Sequence, residues 1–260
     1  MSRYDPGAAR DALLAQTDRV LDWLAGLDDR EWGEPSVLPG WTVGVLAGHL
    51  AGVLRSVPQL LARPTKDRPL TLAEYYTPDT AVPSEADRDE ELAEWSGQTP
   101  AGIQAELQRG RAATVEALTA RLPGVVTVRR GPAAVPDVLL TRVWELVVHA
   151  DDLGRSLPGR PPPELEPAAV RLAVRGFADL LADRAPGRSV ELRVPPYAAV
   201  QCVAGPRHTR GTPPGVVETD GLTWLRLATG RLRWADAVGS GAVRASGERT
   251  DLGRYLPLLG

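Results

Sequence analysis

The chain of 260 residues holds a single cysteine, Cys202, so a disulfide within the chain and a cysteine-rich zinc site are both excluded. It has one lysine, Lys66, and leaves the rest of its basic charge to arginine. With the abundant Ala, Gly and Pro this reflects a GC-rich coding bias rather than chemistry. The net charge of -3, with bases interleaved among acids, provides no basic stripe for nucleic acid. No apolar run approaches the ~18 residues of a membrane span. The opening MSRYDPGAARDALL lacks the apolar core of a signal peptide. A cytoplasmic, non-membrane protein without a nucleic-acid partner is the expectation; the sequence leaves the oligomeric state open, with a monomer slightly favoured. Histidine is also scarce: there are three, His49, His149 and His208. The first two lie inside strongly apolar segments, and His208 lies in the loop-like GPRHTRG.

Helical periodicity dominates the first 156 residues. Asp5 and Pro6 form a cap and first-turn proline for a helix over about 8–27, on which Leu13, Leu14, Thr17, Leu21, Leu24 and Leu27 recur at helical spacing. A Gly- and Pro-rich loop follows. Thr42 then caps WTVGVLAGHLAGVLRSVPQLL, apolar almost all round and so expected to be buried. On it Gly44, Gly48 and Gly52 share a face that a neighbour could approach closely. Residues 64–99 read as a long connection with one short helix over 84–95. A third long helix starts after Thr99 and Pro100 and runs to about 122, with Leu107, Arg111, Thr114, Val115 and Leu118 inward. PGVVTVRRGPAAVP reads as a loop or short hairpin, and a fourth helix covers about 138–155. Four helices with one long crossover predict a four-helix bundle, an architecture that builds metal sites from facing helices.

The proline-rich LPGRPPPELEP marks a boundary. The expected division is a bundle over 1–156, a linker over 157–167 and a small α+β domain over 168–260. The last would contain a helix over 168–182, strands in SVELRV, YAAVQCVAG and VVETDG, short helices in LTWLRLATG and RWADAVG, an edge strand in AVRASG and a closing helix in TDLGRYLPLL.

Glu145 and His149, in RVWELVVHADDL, stand four residues apart and project from one helical face. A facing helix bearing His49 completes two imidazoles and a carboxylate, a ligand set of catalytic zinc sites that leave a position for water or substrate. Fe(II), Ni(II) and Co(II) are also compatible. The spacing equally suits a solvated pair, with Glu145 bonded to Arg142 and His149 to Asp151 or Asp152. The apolar flanks of both histidines count against a solvated face, because an unpaired buried carboxylate costs several kcal/mol. Asp152, three residues after His149, can orient it by accepting its second ring N–H; alternatively it partners Arg155 near the helix end. Trp41 and Trp144 are candidates for pocket walls or for plain packing, and Cys202 for a small core residue.

LPGWTVGVLAGHLAGVL followed by TRVWELVVHADDLGRSL resembles the mycothiol-dependent maleylpyruvate isomerase family, whose N-terminal part is a DinB-like four-helix bundle. The resemblance implies that His49, Glu145 and His149 are the ligands of a divalent metal, with zinc expected. WLRLATGRLRWADAVGSGAVRASGERTDLGRYLPLL is similar to the sterol-carrier-like domain that accompanies it. The family implies mycothiol as thiol cosubstrate and a small acidic or electrophilic substrate. Its thiolate would add to the activated double bond of a maleyl-type acid and leave after rotation, or transfer to another electrophile in a paralogue. It also implies an arginine of the second domain that holds a substrate carboxylate; Arg231, in LATGRLRW, is the candidate, with a structural or surface arginine as the alternative. Two other classes stand beside this enzyme: an apolar-ligand carrier with a structural bundle, and a metalloprotein that has lost catalysis.

Overall fold

Asp5 and Pro6 begin the first helix as their chemistry dictates: the Asp5 carboxylate accepts the amide of Ala8 at 2.7 Å, and Pro6 occupies a position whose N–H has no helical partner. The computed structural model describes residues 3–77, 84–205 and 215–259; His208 lies outside them. The chain divides into two compact units, Met1–Thr71 with Pro83–Ala169, and Leu72–Val82 with Val170–Gly260.

The first unit contains α1 (Pro6–Ala25), the short α2 (Asp29–Gly33) and α3 (Val43–Leu61). α2 replaces part of the expected loop, because Asp28 and Glu31 form a reciprocal capping box. Thr42 caps α3 through its side chain. The four-residue α4 (Leu72–Tyr75) belongs to the second unit; the first continues with α5 (Glu85–Trp95) and α6 (Pro100–Thr119). The hairpin β1 (Val125–Val128) and β2 (Gly131–Ala134) leads into α7 (Val135–Ser156). α1, α3, α6 and α7 form the four-helix bundle: α3 packs against α6 and α7, and α1 against the same two. Leu13, Leu24, Leu46, Leu50, Leu54, Leu107, Leu139 and Leu146 fill its core. Gly110 lets α6 approach α3 closely, since a Cβ there would lie 3.0 Å from that of Leu54. Arg111, expected on the inner face of α6, instead sits beside α1 and binds Asp18 through two hydrogen bonds.

The proline-rich stretch after α7 is strapped to the bundle rather than free. The Trp23 indole donates to the Pro161 carbonyl, Gln16 bonds the backbone at Glu164 and Glu166, and Arg160 pairs with Glu31. Gly154 admits this strap, because a Cβ there would overlap Pro162 at 2.6 Å.

The second unit takes up most of α8 (Pro167–Arg184) and a four-stranded sheet of β3 (Val190–Val194), β4 (Ala198–Cys202), β5 (Gly215–Thr219) and β6 (Val243–Gly247), in the order β4-β3-β5-β6. β3 and β5 run parallel; the other pairs are antiparallel. β3 and β5 alternate buried and half-buried residues, and β6 lies at the edge. Phe177, Leu181, Val190, Leu192, Val217 and Trp224 form the core, with α9 (Gly221–Ala228) and α10 (Trp234–Gly239) following β5. The closing helix expected in TDLGRYLPLL does not form. A single 3-10 turn covers Gly253–Tyr255. Pro257 has no amide to donate to a helix, and the next two amides, Leu258 and Leu259, donate to the Ala228 carbonyl instead. The whole is a two-domain α and α+β protein. Among the described residues no helix is long and apolar enough to cross a membrane.

Candidate metal centre

His49 sits near the middle of α3, on the side packed towards α7 and α5, with 17% of its side chain exposed. Glu145 and His149 come from consecutive turns of α7. The three converge. Glu145 Oε2 lies 3.4 Å from His49 Nε2 and 3.2 Å from His149 Nε2. The two imidazoles meet edge to face, with ring centroids 4.9 Å apart, and one ligand atom from each residue falls within 4.8 Å of the others. The alternative pairing of Glu145 with Arg142 is not adopted: Arg142 turns to the Ser56 and Thr141 hydroxyls.

The remaining ring nitrogens are also met by acids. His149 Nδ1 donates to Asp152 Oδ2 at 3.0 Å, and Asp152 is wholly buried. Asp152 Oδ1 accepts from Arg155 at 3.3 Å, so the two roles considered for it, orienting the histidine and pairing the arginine, are filled together. His49 Nδ1 lies 3.3 Å from Glu91 Oε2 on α5. An ionised carboxylate only accepts, so an acid at Nδ1 keeps a proton there and makes Nε2 the nitrogen that can give up its proton to bind a cation.

Three carboxylates around two imidazoles make a site in need of positive charge. Burial pulls the His49 pKa down, but the hydrogen bonds and charges of Glu145 and Glu91 outweigh it and raise the value to about 9. Burial works against ionisation of Glu145, yet its contacts with His149 and His49 hold it well below the ordinary carboxylate range. Glu91 is lowered in the same way against its own desolvation, chiefly by His49. In the metal-free protein a proton on His49 does what a bound cation can do better. Two Nε2 atoms and an ionised carboxylate oxygen form a donor set that fits a divalent ion of the zinc type.

A family model described as the mycothiol maleylpyruvate isomerase N-terminal domain matches residues 13–154, more than half of the chain. The chain belongs to the mycothiol maleylpyruvate isomerase family, an enzyme family. A second model, described as a bacterial SCP ortholog, matches residues 166–258. Crystal structures of the mycothiol-dependent maleylpyruvate isomerase and of its histidine-to-alanine mutant are similar to this chain with a TM-score of 0.62 at 20% identity, covering 94% of each chain. No curated protein sequence matches the chain.

Against that family background the other named residues divide. Trp41 stands beside the site, its ring 5.5 Å from that of His49 and tilted by 53°, whereas Trp144 is buried in the bundle. Arg231, half-buried in the second unit, donates to the Thr229 carbonyl of its own turn. Cys202 is fully buried and burial pushes its thiol up to about 11, so it is a core residue and a poor nucleophile. Glu91 was not legible beforehand. It is one of six acids on α5, and periodicity distinguishes none of them. The one available signal is Trp95, a large apolar anchor one helical turn later on the same face.

Proposed function

We propose that this family member is a metal-dependent, thiol-using enzyme in which His49, Glu145 and His149 hold a divalent ion, zinc in the first instance. The proposed reaction class is reversible addition of mycothiol to the activated double bond of a small unsaturated acid. Elimination after rotation gives cis–trans isomerisation; retention of the adduct gives thiol transfer. The observation that carries this reading is the convergence of two Nε2 atoms on one Glu145 oxygen within a largely buried bundle. A divalent ion there supplies Lewis acidity that favours the thiolate form of a coordinated thiol.

The protein's own groups have separate tasks. Glu145 supplies the anionic ligand and stays ionised, as its depressed pKa requires. Asp152 fixes the His149 ring so that Nε2 faces inward. Trp41, whose ring stands beside that of His49, is the proposed wall of the pocket on that side. Arg231 is kept, on its chemistry alone, as the proposed holder of a substrate carboxylate. Low-molecular-weight thiols stay reduced in the cytoplasm, which is the location this chemistry calls for.

A cleft formed by described residues of the second unit does not favour the carrier reading. At about 360 Å³ it has Arg193 and Glu218 on its wall together with Pro195 and Tyr197, unlike the apolar tunnel a lipid ligand needs. Elemental analysis of purified protein, combined with a thermal-shift screen of low-molecular-weight thiols, tests the enzyme reading. Wild-type protein is expected to carry a divalent metal and to be stabilised by a thiol only when the metal is present. His49→Ala is expected to lose most of the metal; full metal content in that variant overturns the ligand assignment.

A further inference from the structure

α5 is carried to the site by one face. Asp87, Glu91 and Trp95 stand at intervals of four, which places them in a row along the helix. Each has a partner on a different part of the first unit. Asp87 closes the Ser84 capping box and pairs with Arg129 of the hairpin turn at 2.6 Å. Trp95 is buried against Gly48 of α3, where a Cβ would come within 2.5 Å of the indole ring, and Arg55 lies over the same indole while pairing with Glu94. Gly48 precedes His49. The close approach that glycine permits therefore brings Glu91, one turn before Trp95, onto the histidine next to the notch.

At that point Glu91 Oε2 and His49 Nδ1 stand 3.3 Å apart. Both atoms are buried, and neither makes an aligned hydrogen bond to any other group among the described residues. A buried donor and a buried acceptor left unpaired each cost roughly 1–3 kcal/mol. A small turn of either side chain joins them; the Trp95 indole N–H, also buried and without an aligned partner, is a second donor that Glu91 can meet through its other oxygen. The pair mirrors the one behind His149, where Asp152 takes Nδ1–H. Both imidazoles then have an acid at Nδ1, and both present Nε2 to Glu145.

We infer that Glu91 is a positioning residue for the centre: it accepts the Nδ1–H of His49 and so fixes the tautomer and ring orientation that make Nε2 the ligand atom. The inference rests on the metal-site reading above, but part of its test does not. In metal-free protein, the His49 Nδ1–H signal in a 15N-resolved NMR spectrum is expected to exchange slowly in the wild type, to vanish in Glu91→Ala and to persist in Glu90→Ala. Glu90 is exposed, so its variant removes the same charge from the same helix without touching the ring. Zinc affinity, measured by competition with a chromophoric chelator, is expected to fall about 10–100-fold in Glu91→Ala, the range seen when an acid behind a metal-bound histidine is removed. Glu91→Gln, which keeps an acceptor oxygen, is expected to recover most of that loss, and Glu90→Ala to bind as the wild type does. An unchanged Nδ1–H signal in Glu91→Ala overturns the proposal, as does a Glu90→Ala loss of zinc affinity equal to that of Glu91→Ala. Should the wild type fail to bind zinc while the NMR pattern holds, the metal reading falls and the Glu91–His49 contact stands.

Discussion

His149 and His49 meet the same carboxylate oxygen, but the protein holds the two rings by different means. Behind His149 stands Asp152, on the same helix, three residues away, wholly buried and itself tied to Arg155. Behind His49 stands Glu91, from a separate short helix, with 34% of its side chain exposed and no arginine paired with it among the described residues. The first support is local, made between two residues of α7 itself. The second depends on α5 being docked, and so on Trp95 entering the notch at Gly48. One half of the site is therefore expected to behave as part of the core, and the other as a part that can be loosened without unfolding the bundle.

Removing Asp152 tests the local half and is expected to have the largest effect on stability. Asp152→Ala strands the His149 Nδ1–H in the interior and takes from Arg155 its closer acidic partner. Breaking a buried charged pair from one side costs about 3–5 kcal/mol. Urea unfolding of the metal-free variant is expected to show a loss of that order, whereas Glu91→Ala, at the partly exposed position, is expected to lose about 1–2 kcal/mol. Equal losses would erase the distinction between the two halves.

The next effect is a pH dependence that separates them by charge. The folded-state pKa of His49, about 9, lies above its ordinary value of 6.5. Its contribution is therefore present in full below about 6.5 and is lost as pH rises through about 9. Glu145 and Glu91 are depressed, so their contributions are present above about 4.5 and are lost on acidification. These are the same contacts seen from both partners and count once. Chemical unfolding of metal-free protein is expected to show greatest stability for the site near pH 5–6 and a loss on the order of 3 kcal/mol by pH 10. In His49→Ala this alkaline loss is expected to vanish. Its survival there would place the titrating group elsewhere.

How much of this could be read in advance follows the same division. Glu145 and His149 stand one helical turn apart in an apolar segment, and Asp152 is three residues further on. Short-range spacing determines which face each occupies, so all three were legible. His49 was legible as a lone imidazole in an apolar helix with a suitable partner elsewhere. Thr42, Asp5 and Pro6 carried their capping roles openly, because a cap depends on neighbours within three residues. Glu91 was hidden because its role is set by a contact across 42 positions of sequence, made by a helix whose acids look alike. The strapped linker was hidden for a related reason: prolines advertise an extended chain, but not that Trp23 and Gln16 bind it. In the closing segment the apolar spacing suggested a helix, while Pro257 and the amides given to Ala228 decided otherwise.

The smallest effect expected is also the most direct test of the dependent half. Gly48→Ala adds one methyl group to a helix in which alanine is the better former by about 1 kcal/mol. The bundle itself gains from that change. The new Cβ, however, would lie 2.5 Å from the Trp95 indole, and the atoms it meets belong to the ring itself rather than to a mobile chain end. α5 has to move outward, which costs about 1–3 kcal/mol as overpacking does. The net change in unfolding free energy is expected to be a loss of no more than about 2 kcal/mol. Its consequence at the centre should be out of proportion to that loss: with α5 displaced, Glu91 leaves His49, and zinc affinity is expected to fall as it does in Glu91→Ala. Combining the two substitutions should add little further loss of affinity, because both break one contact. Fully additive losses would mean that Gly48 acts on the site by a route other than the docking of α5.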